Sequence, residues 1–214
     1  MKRQQQNNTG TKQRILDESL KLFATKGYTD VYVGEIADAV GIKAPSLYKH
    51  YKSKKDIFEA LIYEMKERYS SAMGTIGING QDSSADASIY ENITEEAMIE
   101  AGKNLFLFFL HDEYMSCFRR ILTMEQYNNK DLGEMYTKQF FEDPIKYQGA
   151  IFGMLIRKGK LVKADPQLMA LEFYAPIYTL LTQCDRDPKL EPEALELIDA
   201  HIRAFNKQYG RKTK

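Results

Sequence analysis

Val33–Lys52 reads VGEIADAVGIKAPSLYKHYK, and the spacing of its small and apolar residues decides the fold. Val33, Ile36, Ala37 and Val40 recur at i, i+3, i+4 and i+7, one face of a short helix, and Gly41 ends it. Two short helices lock at a steep angle only if the first is small where the second crosses it, and Ala37 meets that need. The turn requires a residue at ease with positive φ, which is Gly41; the second helix must send an apolar residue back into the angle, which is Leu47. Ile36, Val40 and Ile42 fill the remaining core. The spacing alone fits a helix-turn-helix and also a generic helical hairpin.

The second helix separates the two. It is expected from about Pro45 to Tyr51, with proline in the first turn, where a missing N–H costs nothing. With Leu47 and Tyr51 inward, the outer face presents Lys43, Ala44, Ser46, Lys49 and His50. From Lys43 through Lys55 there are five lysines and no acid. Small residues permit close approach to a major groove, while lysines and the Tyr48 hydroxyl supply donors for base edges and phosphates. Lys54 and Lys55 follow the expected N-cap Ser53. A helix start disfavours cations by tenths of a kcal/mol, yet a phosphate docked there would use the free N–H groups and the lysines together. Either lysine alone reads as a solvated side chain.

Outward from this motif the pattern stays helical. Leu16, Leu20 and Phe23, with Ile15 and Leu22 beside them, form a preceding helix from Lys12 that Gly27 stops; a fourth helix after Ser53 carries Ile57, Leu61, Ile62 and Met65. Gly74–Ser88, GTIGINGQDSSADAS, reads as a flexible loop. Helices are predicted over roughly 92–111, 113–128 and 131–142, with restarts at Asp143-Pro144, Asp165-Pro166 and Glu191-Pro192 and a stop at Gly159. Strand alternation, internal repeats and heptad arrays are missing from the pattern. The fold class expected is all-α, in two domains: 9–69, containing the motif at 33–52, and 70–214.

Composition agrees. Hydrophobic content of 43% and charged content of 28% are ordinary for a soluble globular chain, expected in the cytoplasm. Cys117 and Cys184 have no CxxC pairing and suit a reducing compartment; the polar N-terminus is no signal peptide, and no apolar run approaches a membrane span. Net charge is zero, but residues 1–58 are net +5 and 59–214 net −5, so one end suits an anionic partner.

The runs RILDESLKLFATKGY and IADAVGIKAPSLYKHYKSKKDIFEAL together resemble the DNA-binding domain of the tetracycline-repressor (TetR) family over about residues 12–61. The matches are Ile36-Ala37, Gly41, Leu47-Tyr48, His50-Tyr51 and Ser53-Lys54. The resemblance implies a three-helix reader, a fourth connecting helix and a C-terminal helical bundle that dimerises and senses a ligand. Carried over by position, Lys43, Ala44, Pro45, Ser46, Tyr48, Lys49, His50 and Lys54 would line DNA. The family commonly has Ser or Thr near the start of its second helix, where Val31 and Tyr32 stand here, so Tyr32 is expected to supply the hydroxyl. Lys43 replaces a capping Ser or Thr, and Pro45 a common Gly; both alter which bases are read. Lys2 and Arg3 could form a basic arm or a disordered tail.

The last two helices carry two apolar stripes: Met169, Phe173, Ile177, Leu180, Leu181 and Cys184, then Leu195, Ile198, Ile202 and Phe205. The second has the near-3.5 period of bundle packing. In the family the final pair meets its twofold mate as a four-helix bundle, so Phe173, Ile177, Leu181, Leu195, Ile198, Ile202 and Phe205 are the dimer candidates; otherwise both stripes face the chain's own core. Residues 100–156 are rich in Phe, Tyr and Met, which adapt to apolar ligands. Pocket candidates are Phe118, Arg119, Met124, Tyr127, Phe140, Tyr147 and Phe152, with Arg120, Glu125 and Gln148 as further polar partners; singly, each also reads as core.

Catalytic motifs and metal-spaced Cys/His clusters are missing, and His50, His111 and His201 are scattered, so no enzyme, cofactor or metal is expected. The expected partners are a near-palindromic double-stranded DNA operator, a second copy of the chain, and an unidentified small apolar or amphipathic effector, with no membrane. Repression or activation is left open. The alternative is a helical module whose basic face docks an acidic protein or membrane surface.

Overall fold

The computed structural model describes residues 2–75, 77–80 and 82–211, with side chains from residue 10 onward, so the side chains of Lys2 and Arg3 lie outside the described residues. The chain is all-helical: α1 Lys2–Lys26, α2 Val33–Val40, α3 Ala44–Leu47, α4 Lys54–Thr75, α5 Ser83–Asn92, α6 Glu95–His111, α7 Glu113–Glu125, α8 Lys130–Thr137, α9 Asp143–Arg157, α10 Pro166–Arg186 and α11 Glu191–Tyr209. The one extended pairing among the described residues is an isolated bridge, Leu161 to Gly210. None of these helices is long and apolar enough to cross a membrane.

Two compact units share the chain. The first comprises the N-terminal segment through Arg68 together with Glu113–Tyr136; the second comprises Tyr69–Asp112 and the segment from Thr137 onward. The first unit is therefore discontinuous, unlike the linear division at 69–70, because α7 packs on α1. In α7, Tyr114, Met115, Phe118, Ile121 and Leu122 are buried, and the Phe118 ring stacks on Phe58 of α4 at 5.9 Å. Burying five large side chains on the reader at about 1.5–3 kcal/mol each outweighs any preference for sequence neighbours.

In the first unit, α1 buries Ile15, Leu16, Leu20, Phe23 and Ala24 against α2, whose Ile36, Ala37 and Val40 face inward as their period predicts. Gly41 takes φ +75°, and the Gly41 and Ile42 N–H groups close α2 onto Asp38 and Ala37. Arg14 of α1 donates to the carbonyl of Val40 at 2.5 Å, satisfying one of the helix's terminal acceptors. The α3 helix is shorter than expected. It makes one turn, Ala44–Leu47, and continues as hydrogen-bonded turns to Tyr51, because the Lys49 and His50 N–H groups bond three residues back.

Two sequence expectations are corrected in the second unit. The 74–88 segment is not loop throughout: Asp82 accepts from the N–H groups of Ser84 and Ala85 and starts α5 at Ser83. Asp86 in this helix is buried and accepts from the N–H groups of Asn79 and Gly80 and from the Tyr147 hydroxyl, which pins the preceding turn. Asp143-Pro144 does not restart a helix; the chain stays helical through a π-turn at Lys138–Glu142, where the wider ladder precedes the proline. Asp165 does cap α10, accepting from Gln167 and Leu168 N–H at 2.8 and 3.2 Å.

The core of this unit holds two clusters. One gathers Ile99, Phe106, Leu181, Cys184, Ala194, Ile198 and Ile202; the other gathers Ile151, Phe152, Leu155, Leu161, Met169, Ala170 and Phe205.

Candidate nucleic-acid interface

The recognition segment is held from beneath by Leu47 and Tyr51, both essentially buried. Burial raises the Tyr51 hydroxyl to about 12, and its ring carries the Lys12 ammonium at 5.1 Å. Anchoring those two positions turns the others outward. Lys43, Pro45, Tyr48 and Lys49 are exposed, and Ala44, Ser46 and His50 are partly so. Tyr48 is 52% exposed. Lys43 sits at the N-cap in extended conformation without a side-chain cap bond, so its ammonium does not serve the helix. Tyr32 precedes α2 with its side chain 73% exposed, and its backbone N–H donates to Glu35 at 2.8 Å. That carboxylate also pairs with Lys26 at 2.5 Å, which holds it below the usual carboxylate range. The outer side of the Lys43–His50 segment is thus basic and open at Lys43, Tyr48 and Lys49, with the small residues Ala44 and Ser46 half-exposed between them.

Lys54 departs from the expectation. Its ammonium donates to the carbonyls of Tyr28, Thr29 and Val31 at 2.7, 3.1 and 2.7 Å, and lies over the Tyr28 ring at 4.6 Å. An ammonium has three N–H donors, and here each has an oxygen of the chain itself. Burial lowers its pKa, against the pull of Glu125, Asp30 and Glu35. The residue expected on phosphate is turned back into the turn between α1 and α2. Lys55 stays exposed, 3.9 Å from Glu59.

The pocket candidates divide between the two units. Phe118 and Arg119 are buried in the first unit, Phe118 as core against Phe58. Tyr127 is 90% exposed, at a turn after α7, and lines nothing. Met124 is half-buried in the same unit. Glu125 is buried and spent on Thr29, accepting from its N–H at 2.8 Å and its hydroxyl at 2.6 Å. In the second unit, Phe140 stacks on Tyr178 at 5.8 Å, Phe152 is core beside Phe173 and Phe205, and Tyr147 donates to Asp86. A groove of about 370 Å³ in that unit lies elsewhere, between α6 and α11, lined by Ile99, Leu107 and Leu195 with charged residues around them.

Four of the seven dimer candidates are taken up by the chain's own core. Leu181, Ile198, Ile202 and Phe205 are buried in the chain's own core; Phe173, Ile177 and Leu195 are half-buried and pack against the same clusters. The opposite faces are the open ones. On α10 these are Leu168, Leu171, Ala175 and Thr179, and on α11 Leu197, Ala200 and Ala204, all exposed. Their i, i+3, i+7 spacing was a readable signal, overshadowed by the larger side chains of the inward stripe.

A pair of short helices joined through the Gly41 turn, the second with an exposed basic side, together with a second helical unit, defines a helix-turn-helix protein of two units. Residues 15–61 match the family model described as bacterial regulatory proteins, tetR family. The HTH-type transcriptional regulator AcrR of Shigella flexneri is 42% identical over 57 residues, 27% of this chain and 26% of that protein. IcaR of Staphylococcus aureus, the negative regulator of the biofilm operon icaADBC, is 46% identical over 48 residues, 22% of this chain and 26% of its own. The matches thus span about a quarter of the length of these relatives.

Solved structures extend the likeness of fold over the chain. A TetR-family regulator from Pseudomonas syringae superposes with a TM-score of 0.64 at 13% identity, covering 94% of this chain and 97% of that one. SmeT in complex with triclosan gives 0.67 at 17%, covering 95% and 93%; SmeT is the repressor of the Stenotrophomonas maltophilia multidrug efflux pump SmeDEF. Residues 15–61 thus match the tetR family model, and over most of the chain the fold is like that of these solved structures.

Proposed function

We propose that this protein is a sequence-specific DNA-binding transcriptional regulator, a cytoplasmic homodimeric repressor that a small apolar or amphipathic effector releases from a near-palindromic operator. The observation that carries this reading is the exposed face of Lys43, Pro45, Ser46, Tyr48 and Lys49 on a rod whose other side is anchored by Leu47 and Tyr51. Such a rod enters the major groove with Ala44, Pro45 and Ser46 close to base edges, while Lys43, Tyr48, Lys49 and, from the start of α2, Tyr32 reach phosphates. His50, partly exposed at the end of the segment, would sit at the rim.

Dimerisation is read from the open face of α10 and α11. These helices run antiparallel, since Phe173 meets Phe205 at one end and Leu181, Cys184, Ala194 and Ile198 share one cluster at the other. Leu171, Ala175 and Thr179 therefore lie beside Ala204, Ala200 and Leu197, a small-residue strip that lets a second pair of helices approach. A twofold mate on this strip would repeat the reading head about one DNA turn away. Effector release would follow population shift, with the ligand favouring a head separation that mismatches the operator. Bound triclosan in SmeT supports a ligand of that chemistry.

The test is selection of duplexes from a random-sequence library with the purified chain, then anisotropy titration over a range of salt. Enrichment of a near-palindrome whose affinity falls steeply with salt is expected. Equal, weak binding to every duplex would overturn the reading in favour of an acidic-surface docking module.

A further inference from the structure

We propose that Glu125, Thr29 and Lys54 form a clamp that sets the attitude of the DNA-reading helices, with Lys54 a positioning residue that acts through the turn and not on phosphate. The inference rests on the DNA-binding reading above. The turn between α1 and α2, residues 27–32, is short; Val31 is buried in it, and the Tyr28 ring packs on Phe23 at 5.2 Å and on Phe58 at 4.8 Å. Its backbone is fixed by polar groups from both sides. From α4, the Lys54 ammonium gathers the carbonyls of Tyr28, Thr29 and Val31. From α7, Glu125 accepts both the N–H and the hydroxyl of Thr29.

The fit is tight at Gly27, which takes φ +88°: a Cβ there would stand 2.7 Å from the Glu125 carboxylate oxygen. The turn is thus gripped between a buried anion and a partly buried cation. Charge-assisted bonds of this kind are stronger and more directional than neutral ones. Since α2 begins directly after the turn, a shift at Thr29 tilts α2, and α3 follows through the Gly41 turn.

The far end of α7 is tied to the same unit. The Tyr114 hydroxyl donates to Asp17 at 2.7 Å and accepts from Gln13 at 2.9 Å, and the Arg68 guanidinium lies over its ring at 4.2 Å. A helix held at both ends is a splint for α1 and α4. Glu125 makes that splint reach the reader, which gives a residue far from any DNA contact control over how well the two match.

Four substitutions test this on the full chain with the enriched duplex and a scrambled one. Lys49→Gln should lower the slope of log affinity against log salt by about 0.9, the share of a single neutralised phosphate. Lys54→Gln should weaken specific binding yet leave that slope at the wild-type value. A slope reduced as in Lys49→Gln would put the ammonium on phosphate and overturn the clamp. Glu125→Gln should cost about tenfold in affinity for the enriched duplex and leave affinity for the scrambled one unchanged, a coupling of ordinary size between distant sites. Thr29→Val, which keeps the N–H bond and removes one hydroxyl, should give a smaller loss of the same kind.

All binding is read well below each variant's melting temperature, so lower stability alone does not move the specific-to-scrambled ratio. Unchanged ratios in both Glu125→Gln and Thr29→Val would overturn the clamp while the DNA reading stands. Failure of the wild-type chain to enrich any duplex would overturn the DNA reading itself.

Discussion

The α2–α3 motif and the α10–α11 pair are both amphipathic helical pairs, yet apolar periodicity means different things in each. In α2–α3, Ile36, Ala37, Val40 and Leu47 are buried, Val33 and Ile42 half-buried, and Lys43, Pro45, Tyr48 and Lys49 open, so the outer face is legible directly. In α10–α11, the large residues Leu181, Ile198, Ile202 and Phe205 are spent on the chain's own core, and the face left over is Leu, Ala and Thr. A short motif with one apolar face has only one use for it. A long helix pair inside a larger unit can have two, and the bulkier stripe serves the core because filling it excludes the most water.

Neighbouring residues on α11 offer the sharpest way to break this contrast. Ile198→Ala should cost about 2–5 kcal/mol in chemical denaturation, as expected for a fully buried aliphatic side chain. Leu197→Arg, one residue away and 46% exposed, should leave the folding of the single chain within about 0.5 kcal/mol. Combined with Leu171→Arg, it should convert the proposed dimer to monomer in sedimentation velocity and reduce affinity for the enriched duplex about a hundredfold or more, by loss of bivalency. If Leu197→Arg unfolds the chain, or the double variant remains dimeric, the distinction between inner and outer stripe is wrong.

On the reader, Lys43→Gln should weaken binding by about 1 kcal/mol and lower the salt slope by about one, read by anisotropy. A smaller, pH-dependent effect touches both units. Burial raises Tyr51 in the first and Tyr90 in the second to about 12. A tyrosine whose folded pKa lies above its usual value near 10 stabilises the fold fully below about pH 10, and that contribution is lost as pH rises from about 10 towards 12. Absorbance titration should show Tyr51→Phe and Tyr90→Phe each flattening this alkaline loss. The smallest effect is expected at Ser19, whose buried hydroxyl has no hydrogen-bond partner among the described residues. Ser19→Ala should raise stability by up to about 1 kcal/mol, since an unsatisfied buried hydroxyl is removed at little loss of volume.

Much of this fold could be read from local pattern. The bounds of α2, the Gly41 turn, the inward Leu47 and Tyr51, and the Asp165-Pro166 start all follow from interactions within a few residues, where sequence spacing is spatial spacing. The expectations that changed depend on partners far along the chain. Lys54 meets carbonyls 23 to 26 residues before it, and Glu125 meets Thr29 across 96 residues. Tyr147 reaches Asp86 across 61, which is how a polar stretch expected as loop acquires an anchored helix start.

Amino-acid order by itself therefore determined the helical class, the reader motif and its outward basic face, because periodicity and a positive-φ glycine act over one or two turns. Tertiary structure alone decided that α7 belongs with the first unit, that the Lys54 ammonium is spent on backbone carbonyls, and which stripe of the last two helices stays open. Those outcomes turn on competition between partners for the same buried space and the same donors, and no local pattern records who wins.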